Sequence, residues 1–390
     1  MKVLFLNYEY PPIGSGAANA TFCILHEYAQ IPELEVDLIT SSASGEYVQE
    51  ELGKNIKIHR LPVGKNADNL HLQTRKNLIL YSIKSYFFAR KLIKKAKQSG
   101  QAYELTHSFF TVPCGFVSML LKFEFGLPYI VSLRGSDVPG YSDRFVFIYK
   151  FITPIIKLVW KKSSFVIANS QGLKDLALES RTKKEIGIIF NGVEIDRFKP
   201  DENLRNKEKF IITVGASRIT HRKGFNYLIE AIAMLSPKYP NIYAKIMGEG
   251  NAKEELEQLV KKLKLDEKIE FLGRIPRENL APFYQEADLF VLPSLNEGMS
   301  NAMLEALSSG LPLLSTNTGG ADELLKDGSN GFIIKMKDAS DIAEKIEKII
   351  ANKNLQDSMG KASRELAETM SWQKVAQQYF DLYKQTINHA

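Results

Sequence analysis

The chain has 390 residues, of which 44% are hydrophobic and 25% charged, with a formal net charge of +6. That composition belongs to ordinary soluble globular proteins and excludes the disordered, collagenous and disulfide-stapled classes, while the length suits two or three domains. Two cysteines, Cys23 and Cys114, are too few for a disulfide framework and fit a reducing compartment. No run of 18 apolar residues is present to span a bilayer, and the apolar run Val3 to Leu6 is too short for a signal peptide.

Residues 2–10 read as a buried strand, Pro11-Pro12-Ile13-Gly14-Ser15-Gly16 as a loop, and a helix is predicted from about Ala17 to Gln30. Strand, glycine-rich turn and helix open a Rossmann-like unit. The pattern is Gly-x-Gly-x-x-Asn, without the third glycine of a dinucleotide fingerprint, so alone it reads equally well as a plain surface loop. Strand-like runs recur at 35–41, 55–61, 103–110, 128–133, 164–169 and 186–190, several of them separated by helical patterns. The alternation restarts at 210–216 and continues at 242–247, 269–273, 289–293, 311–316 and 331–335. Alternating elements predict mostly parallel sheets with helices on both faces. The polar run Asp196 to Lys209, with Pro200 inside it, reads as a linker. Two Rossmann-like α/β domains are therefore expected, at 1–197 and 198–369, with a large ligand in the cleft between them.

Positive charge is concentrated in the first half. Arg75 to Lys97 carries eight Lys/Arg and no acid, among Ile83, Tyr86, Phe87 and other apolar residues. Arg144 to Ser163 carries five Lys/Arg and no acid, around Phe151, Ile155 and Trp160. Basic amphipathic helices of this kind lie on anionic bilayers, or else pack a core and present a solvated basic face. No nucleic-acid-binding motif accompanies them, so a nucleic-acid partner is not expected.

Val291 to Thr316 reads as buried strand, tight turn, short helix and second buried strand. Two acids interrupt it, Glu297 in the turn and Glu305 in the helix, and buried acids need partners. The amides of Gly298, Met299, Ser300 and Asn301 fall at a helix N-terminus, which favours anions, and the strand end is where open α/β sheets bind ligands.

Glu297-Gly-Met-Ser-Asn-Ala-Met-Leu-Glu305 matches a Glu-x7-Glu signature. With Asn191-Gly-Val-Glu-Ile-Asp-Arg-Phe-Lys-Pro200, Val214-Gly-Ala-Ser-Arg-Ile-Thr-His-Arg-Lys-Gly224, Gly248-Glu-Gly250 and Phe271-Leu-Gly-Arg-Ile275, the chain resembles the retaining glycosyltransferases of family 4 over nearly its whole length. That resemblance implies the GT-B fold, two facing Rossmann-like domains with an interdomain cleft. A last helix at about 370–390 packs back onto the first domain in such proteins. It also implies a nucleotide-diphosphate sugar as co-substrate, with uridine ahead of guanosine as its base. No cofactor and no metal are implied, and no Asp-x-Asp is present.

The resemblance distributes roles along the chain. Arg218 and Lys223 clamp the diphosphate, Arg by bidentate geometry and Lys as a point charge. Glu305 accepts the ribose hydroxyls beside Leu304, and Glu297 holds the donor sugar. Gly298, Met299, Ser300 and Asn301 supply amides. Gly248 adjoins the donor, and Arg274 and Ile275 meet the base. Gly14, Ser15 and Gly16 approach the diphosphate from the first domain, where only small residues let backbone come near.

The sequence departs from the family pattern twice. Phe109 stands at the second position of a paired-His motif that begins at His107. Arg134-Gly-Ser-Asp137 replaces His-Gly-x-Asp. Arg134 cannot serve as a base. It is expected to bind phosphate or an acidic acceptor, with Asp137 as the acceptor-side carboxylate and His107 either functional or a satisfied core residue. The implied reaction is front-face substitution, in which the protein positions the substrates and stabilises the leaving diphosphate. The acceptor is expected to be a glycan or a lipid-linked molecule, and the enzyme cytoplasmic and peripheral on the membrane. The alternatives are a sugar-nucleotide epimerase of the same fold or a non-catalytic nucleotide-sugar-binding protein.

Overall fold

The computed structural model describes residues 1–65, 70, 74–141, 146–205, 208–296 and 299–388, leaving aside the side chains of 146–148, 150, 216 and 217. The chain divides into two compact units, one of Met1–Asn191 with Trp372–Ala390 and one of Gly192–Ser371. Each is a doubly wound α/β unit.

The first sheet contains β1 (Lys2–Leu6), β2 (Glu35–Ser42), β3 (Val48–Leu52), β4 (Ile56–Pro62), β5 (Leu105–Phe109), β6 (Tyr129–Ser132), β7 (Phe165–Ala168) and β8 (Ile186–Ile188), in the order β3-β4-β2-β1-β5-β6-β7-β8. All its pairings are parallel except β3 with β4. Val3 of β1 pairs with Val36 on one side and Leu105 on the other, so the order reverses at β1. Such a reversal opens a crevice at the strands' carboxyl ends. β1 stops at Leu6, short of the expected residue 10. There the Asn7 side chain accepts the Glu9 N–H at 3.0 Å and donates to the Thr21 hydroxyl at 2.7 Å, turning the backbone out of the ladder. β3 has no counterpart among the expected strands. Val48-Gln-Glu-Glu-Leu52 is an edge strand with apolar residues only at its ends, too weak a pattern to read.

The helix Arg75–Gln98 begins at a capping box between Thr74 and Asn77. The last helix, Trp372–Asn388, buries Trp372, Tyr379, Phe380 and Tyr383 in the core of the first unit. The Tyr28 hydroxyl donates to that of Tyr383 at 2.9 Å. Among the described residues, no helix is long and apolar enough to cross a membrane.

The second sheet contains β9 (Phe210–Arg218), β10 (Ile242–Glu249), β11 (Ile269–Gly273), β12 (Leu289–Leu292), β13 (Leu313–Thr316) and β14 (Gly331–Ile334). The order is β11-β10-β9-β12-β13-β14, wholly parallel, with the reversal between β9 and β12. The polar run at 196–209 lies inside this unit and is not a linker, because the division falls between Asn191 and Gly192. Phe198 is fully buried, edge-on to the Tyr284 ring at 5.7 Å. The Arg364 guanidinium donates to the carbonyl oxygens of Ile195, Phe198 and Ser308. One aromatic anchor and one distant arginine hold a segment whose own composition is that of a loop.

Candidate functional site

In the second unit the expected donor residues collect at the carboxyl ends of β9 to β12. Arg218 closes β9 and is exposed. Lys223 ends a short 3-10 turn, His221–Lys223, and is half-buried. Gly224 follows at φ 66°, and a Cβ there would stand 2.2 Å from the Pro293 carbonyl oxygen. Glycine is therefore required for this turn to rest on the segment leaving β12. The Leu295 N–H adds a bond to the Arg222 carbonyl at 2.8 Å. The basic turn is thus packed against Pro293 and Leu295, the segment that leads from β12 toward the acidic signature. A second glycine contact brings in the loop after β10. Gly250 lies against Ile219, whose N–H donates to the Glu249 carbonyl at 2.8 Å, and Gly248, at φ 129°, sits where the register of β10 shifts just before this loop. Arg274, exposed, and Ile275, half-buried, follow β11.

The helix Asn301–Ser308 starts from Ser300, whose hydroxyl accepts the Met303 N–H at 3.4 Å. Met299, Ser300 and Leu304 are buried. Glu297 and Gly298 lie outside the described residues.

Glu305 is only 9% exposed and accepts a 2.8 Å hydrogen bond from the Tyr284 hydroxyl at Oε2. Burial pushes its carboxyl up to about 7, and the Arg277 charge and the Tyr284 hydrogen bond offset only part of that shift. Arg277 donates through Nε to Glu194 at 3.1 Å. Arg197 reaches the same carboxylate at 3.4 Å and donates to the Arg277 carbonyl at 2.5 Å. Tyr284, Arg277 and Glu194 therefore shape the surroundings of Glu305, and none was assigned a role from sequence. Tyr284 lies 21 residues before Glu305, in Phe-Tyr-Gln-Glu-Ala-Asp, where no periodicity or spacing marks it.

In the first unit, Gly14 sits at φ 97° and Ser15 and Gly16 are exposed ahead of the helix Gly16–Tyr28. A Cβ at Gly14 would lie 2.6 Å from the Glu9 carboxylate, so glycine is required there too.

His107, Phe109, Arg134 and Asp137 are brought together at the ends of β5 and β6. His107 is fully buried. Its Nδ1 lies 2.6 Å from the Tyr383 hydroxyl and its Nε2 lies 2.8 Å from that of Ser132. Burial, then the Arg134 charge, hold its pKa well below the usual imidazole range. It is a neutral, satisfied core residue.

The two departures from the family pattern prove to be one contact. The Arg134 guanidinium stacks 3.5 Å from the Phe109 ring centroid. It donates to Asn191 Oδ1 at 2.9 Å and to the Tyr379 hydroxyl at 3.3 Å.

The Asp137 carboxylate, expected on the acceptor side, is buried and accepts four hydrogen bonds from its own surroundings. One oxygen accepts the N–H groups of Arg134 and Gly135, at 2.9 and 3.1 Å. The other accepts the Thr111 N–H and hydroxyl, at 2.8 and 3.0 Å. One oxygen thus folds the loop after β6 on itself, and the other ties it to the loop after β5. That second loop carries Phe110 at φ 70° and ψ 136°, a sparsely populated conformation that costs on the order of 1–3 kcal/mol.

Residues 194–366 match the family described as Glycosyl transferases group 1, and residues 15–197 match Glycosyltransferase Family 4. The chain is 27% identical over 376 residues to an uncharacterized glycosyltransferase of Methanocaldococcus jannaschii, covering 96% of this chain and 95% of that one. Among solved structures, the sucrose-phosphate synthase of Thermosynechococcus elongatus superposes with a TM-score of 0.83 at 20% identity, covering the whole of both chains. HepE of Anabaena, solved with UDP, superposes with a TM-score of 0.73 at 18% identity over 99% of this chain and 100% of that one. It has also been solved with UDP-glucose. At these identities the likeness to solved structures establishes the fold.

Proposed function

The chain belongs to glycosyltransferase family 4, with the GT-B fold of two Rossmann-like domains, and from that premise we propose that it moves a hexose-type sugar from a nucleotide-diphosphate donor with retention of configuration. The observation that carries this reading is the gathering of Arg218, Lys223 and the Met299–Glu305 segment at the point where the second sheet reverses. A nucleotide sugar presents a diphosphate, a ribose diol and a hydroxylated ring. Two cations, a buried carboxylate and helix N-terminal amides answer the first two. Arg274 and Ile275 serve the base. Glu297 serves the sugar ring by family resemblance. Gly14, Ser15 and Gly16 serve the diphosphate through backbone.

In this reading the acceptor hydroxyl attacks the anomeric carbon on the face the nucleotide leaves. The C–O bond to the diphosphate breaks, and the departing phosphate oxygen takes the hydroxyl proton. Arg218 and Lys223 stabilise the negative charge that develops there, the task that other glycosyltransferases give to a metal. Uridine is favoured as the base ahead of guanosine, a choice supported by the uridine ligands of HepE. A thermal-shift screen against UDP-, GDP- and ADP-sugars tests the donor, because a ligand bound only by the folded state raises the melting temperature. A rise with none of them would defeat the reading.

The proposed acceptor is a glycan or a lipid-linked molecule at an anionic membrane surface on the cytoplasmic side. Support comes from the outer face of the helix Arg75–Gln98. Lys76, Ile79, Ile83, Phe87, Lys91 and Lys94 follow one another there at helical spacing, with Ile79 and Phe87 about 60% exposed. The helix Val146–Lys162 adds exposed Phe151, Ile155 and Leu158, ending at Lys161 and Lys162. Between them lies the helix Phe116–Phe125, tied to the first by Arg90 to Glu124 at 2.8 Å and to the second by Lys122 to the Lys162 carbonyl at 2.9 Å. Vesicles containing phosphatidylglycerol are expected to carry the protein on flotation, and neutral phosphatidylcholine vesicles are not. Placing Asp at both Ile83 and Phe87 is expected to abolish the difference. Equal flotation with both lipids would defeat the membrane part of the reading. Labelled donor incubated with such membranes distinguishes transfer from epimerisation, since an epimerase labels no acceptor.

A further inference from the structure

Glu305 enters the donor reading as the acceptor of the ribose hydroxyls, and how it is held decides whether it can do that. Its side chain is buried on the helix Asn301–Ser308. Among the described residues, the side-chain carboxylate accepts one hydrogen bond, from the Tyr284 hydroxyl to Oε2 at 2.8 Å. Among those residues none donates to Oε1. Tyr284 is itself fixed. Its ring is 1% exposed and lies between those of Phe198, 5.7 Å away, and Phe290, 6.2 Å away. The hydroxyl occupies a space that exists because residue 215 is glycine. A Cβ at Gly215 would stand 2.4 Å from the Tyr284 oxygen and 3.3 Å from the Ala302 Cβ. Gly215 lies on β9, Tyr284 on the short helix Ala281–Gln285 before β12, and Glu305 on the helix after it. Three separate elements therefore converge on one carboxylate rotamer.

We propose that Tyr284 is a positioning residue that makes the donor site selective for ribose over deoxyribose, by holding Glu305 in one rotamer with Oε1 open, in a space that Gly215 provides. The proposal rests on the nucleotide-sugar reading above. A carboxylate free to rotate would still repel phosphate and still weaken every nucleotide. Only a carboxylate held in register with the diol distinguishes a nucleotide that has both hydroxyls from one that lacks one. Tyr284 touches no substrate in this scheme and acts through Glu305.

The test is calorimetric titration of the full-length protein with UDP and with 2′-deoxy-UDP and 3′-deoxy-UDP. If GDP or ADP binds instead, the corresponding deoxy analogues are used. The wild type is expected to prefer the ribonucleotide by at least roughly tenfold over one of its deoxy analogues, the scale of a hydrogen bond to a charged group. Tyr284→Phe removes only the oxygen and keeps the ring packing. It is expected to bring that ratio close to one while the diphosphate-only contribution, read with inorganic pyrophosphate, stays unchanged. Gly215→Ala approaches the same hydroxyl from the other side and is expected to lower the ratio likewise. An unchanged ratio in a folded Tyr284→Phe protein, whether or not overall affinity falls, overturns the proposal. So does a wild type that binds nucleotides without preferring ribose. If the wild type binds none of these nucleotides, the donor reading itself fails, and the two failures are distinct in the data.

Discussion

Lys223→Ala is expected to lower kcat by about 10²- to 10³-fold with a smaller change in KM, the scale seen when one preorganised stabiliser of a developing oxyanion is removed. The reason lies in when the charge appears. A diphosphate bound in the ground state already carries negative charge, but one oxygen gains more as the anomeric bond breaks. A cation beside that oxygen therefore stabilises the transition state more than the bound donor, and its loss falls on kcat. The fold is expected to survive, because Lys223 is half-buried at the end of a turn whose packing comes from Gly224 against Pro293 and from the Leu295 to Arg222 bond. Arg218→Ala is expected to act in the same direction. The double variant should lose less than the product of the two, since both cations address one group. Steady-state kinetics on protein with an unchanged melting temperature would check this. Near-normal turnover of Lys223→Ala would remove that residue from the leaving-group role.

Glu305→Gln is expected to make the unliganded protein more stable at pH 8 and a much poorer binder of its donor. The Glu305 carboxyl is pushed up to about 7, chiefly by burial. In the unfolded chain it titrates near the ordinary value of 4.5. Between those values the native state holds a proton that the unfolded state has released. Stability then falls as pH rises through the window, and the full loss is present above about 7. The loss is on the order of 3–4 kcal/mol, at ~1.4 kcal/mol per pH unit. Glutamine does not ionise and escapes it, while its oxygen still accepts from Tyr284. Melting temperatures of variant and wild type should coincide near pH 4.5 and diverge toward pH 8, with the variant higher. Nucleotide affinity should fall by about 10- to 100-fold, the worth of hydrogen bonds to a charged acceptor. Wild-type affinity should itself rise from pH 6 to pH 8 as the carboxylate forms. Three other charged groups share this environment, Arg277, Glu194 and Arg197. Arg277→Gln should therefore raise the midpoint of the affinity profile. Parallel melting curves across pH would defeat the stability argument, and unchanged affinity would take Glu305 out of the donor site.

This trade between stability and binding explains why the second acid of the Glu-x7-Glu signature is buried. A carboxylate buried with one hydrogen bond among the described residues destabilises the empty protein. A diol supplies the donors that the protein withholds.

Family membership, the Rossmann-like alternation and the order of the motifs were all legible in the residues. They depend on local signals: apolar runs of strand length, glycines where a turn or close approach needs them, and acids and cations at strand ends. The same locality explains the misreadings. The run at 196–209 has a linker's composition, yet it is folded into the second unit by Phe198 and by an arginine 166 residues from that carbonyl contact. β3 carries too few apolar residues to announce an edge strand.

What only the tertiary structure decided is what each polar side chain faces. Sequence left His107 open between catalysis and core, and its two hydroxyl partners come from β6 and from the last helix of the chain. Phe109 and Arg134 read as two unrelated departures and are one stacked pair. Asp137 read as an acid for the acceptor, and it spends both oxygens on backbone and a hydroxyl nearby. Glu305 was identified by spacing from Glu297, but its partner Tyr284 and the space left by Gly215 were invisible. A hydrogen bond between residues 21 apart leaves no period in a sequence. Local patterns determine which elements form and which residue types stand at strand ends. Burial and partner choice arise only when distant segments meet, and these set the protonation and rotamer of the groups on which the chemistry depends.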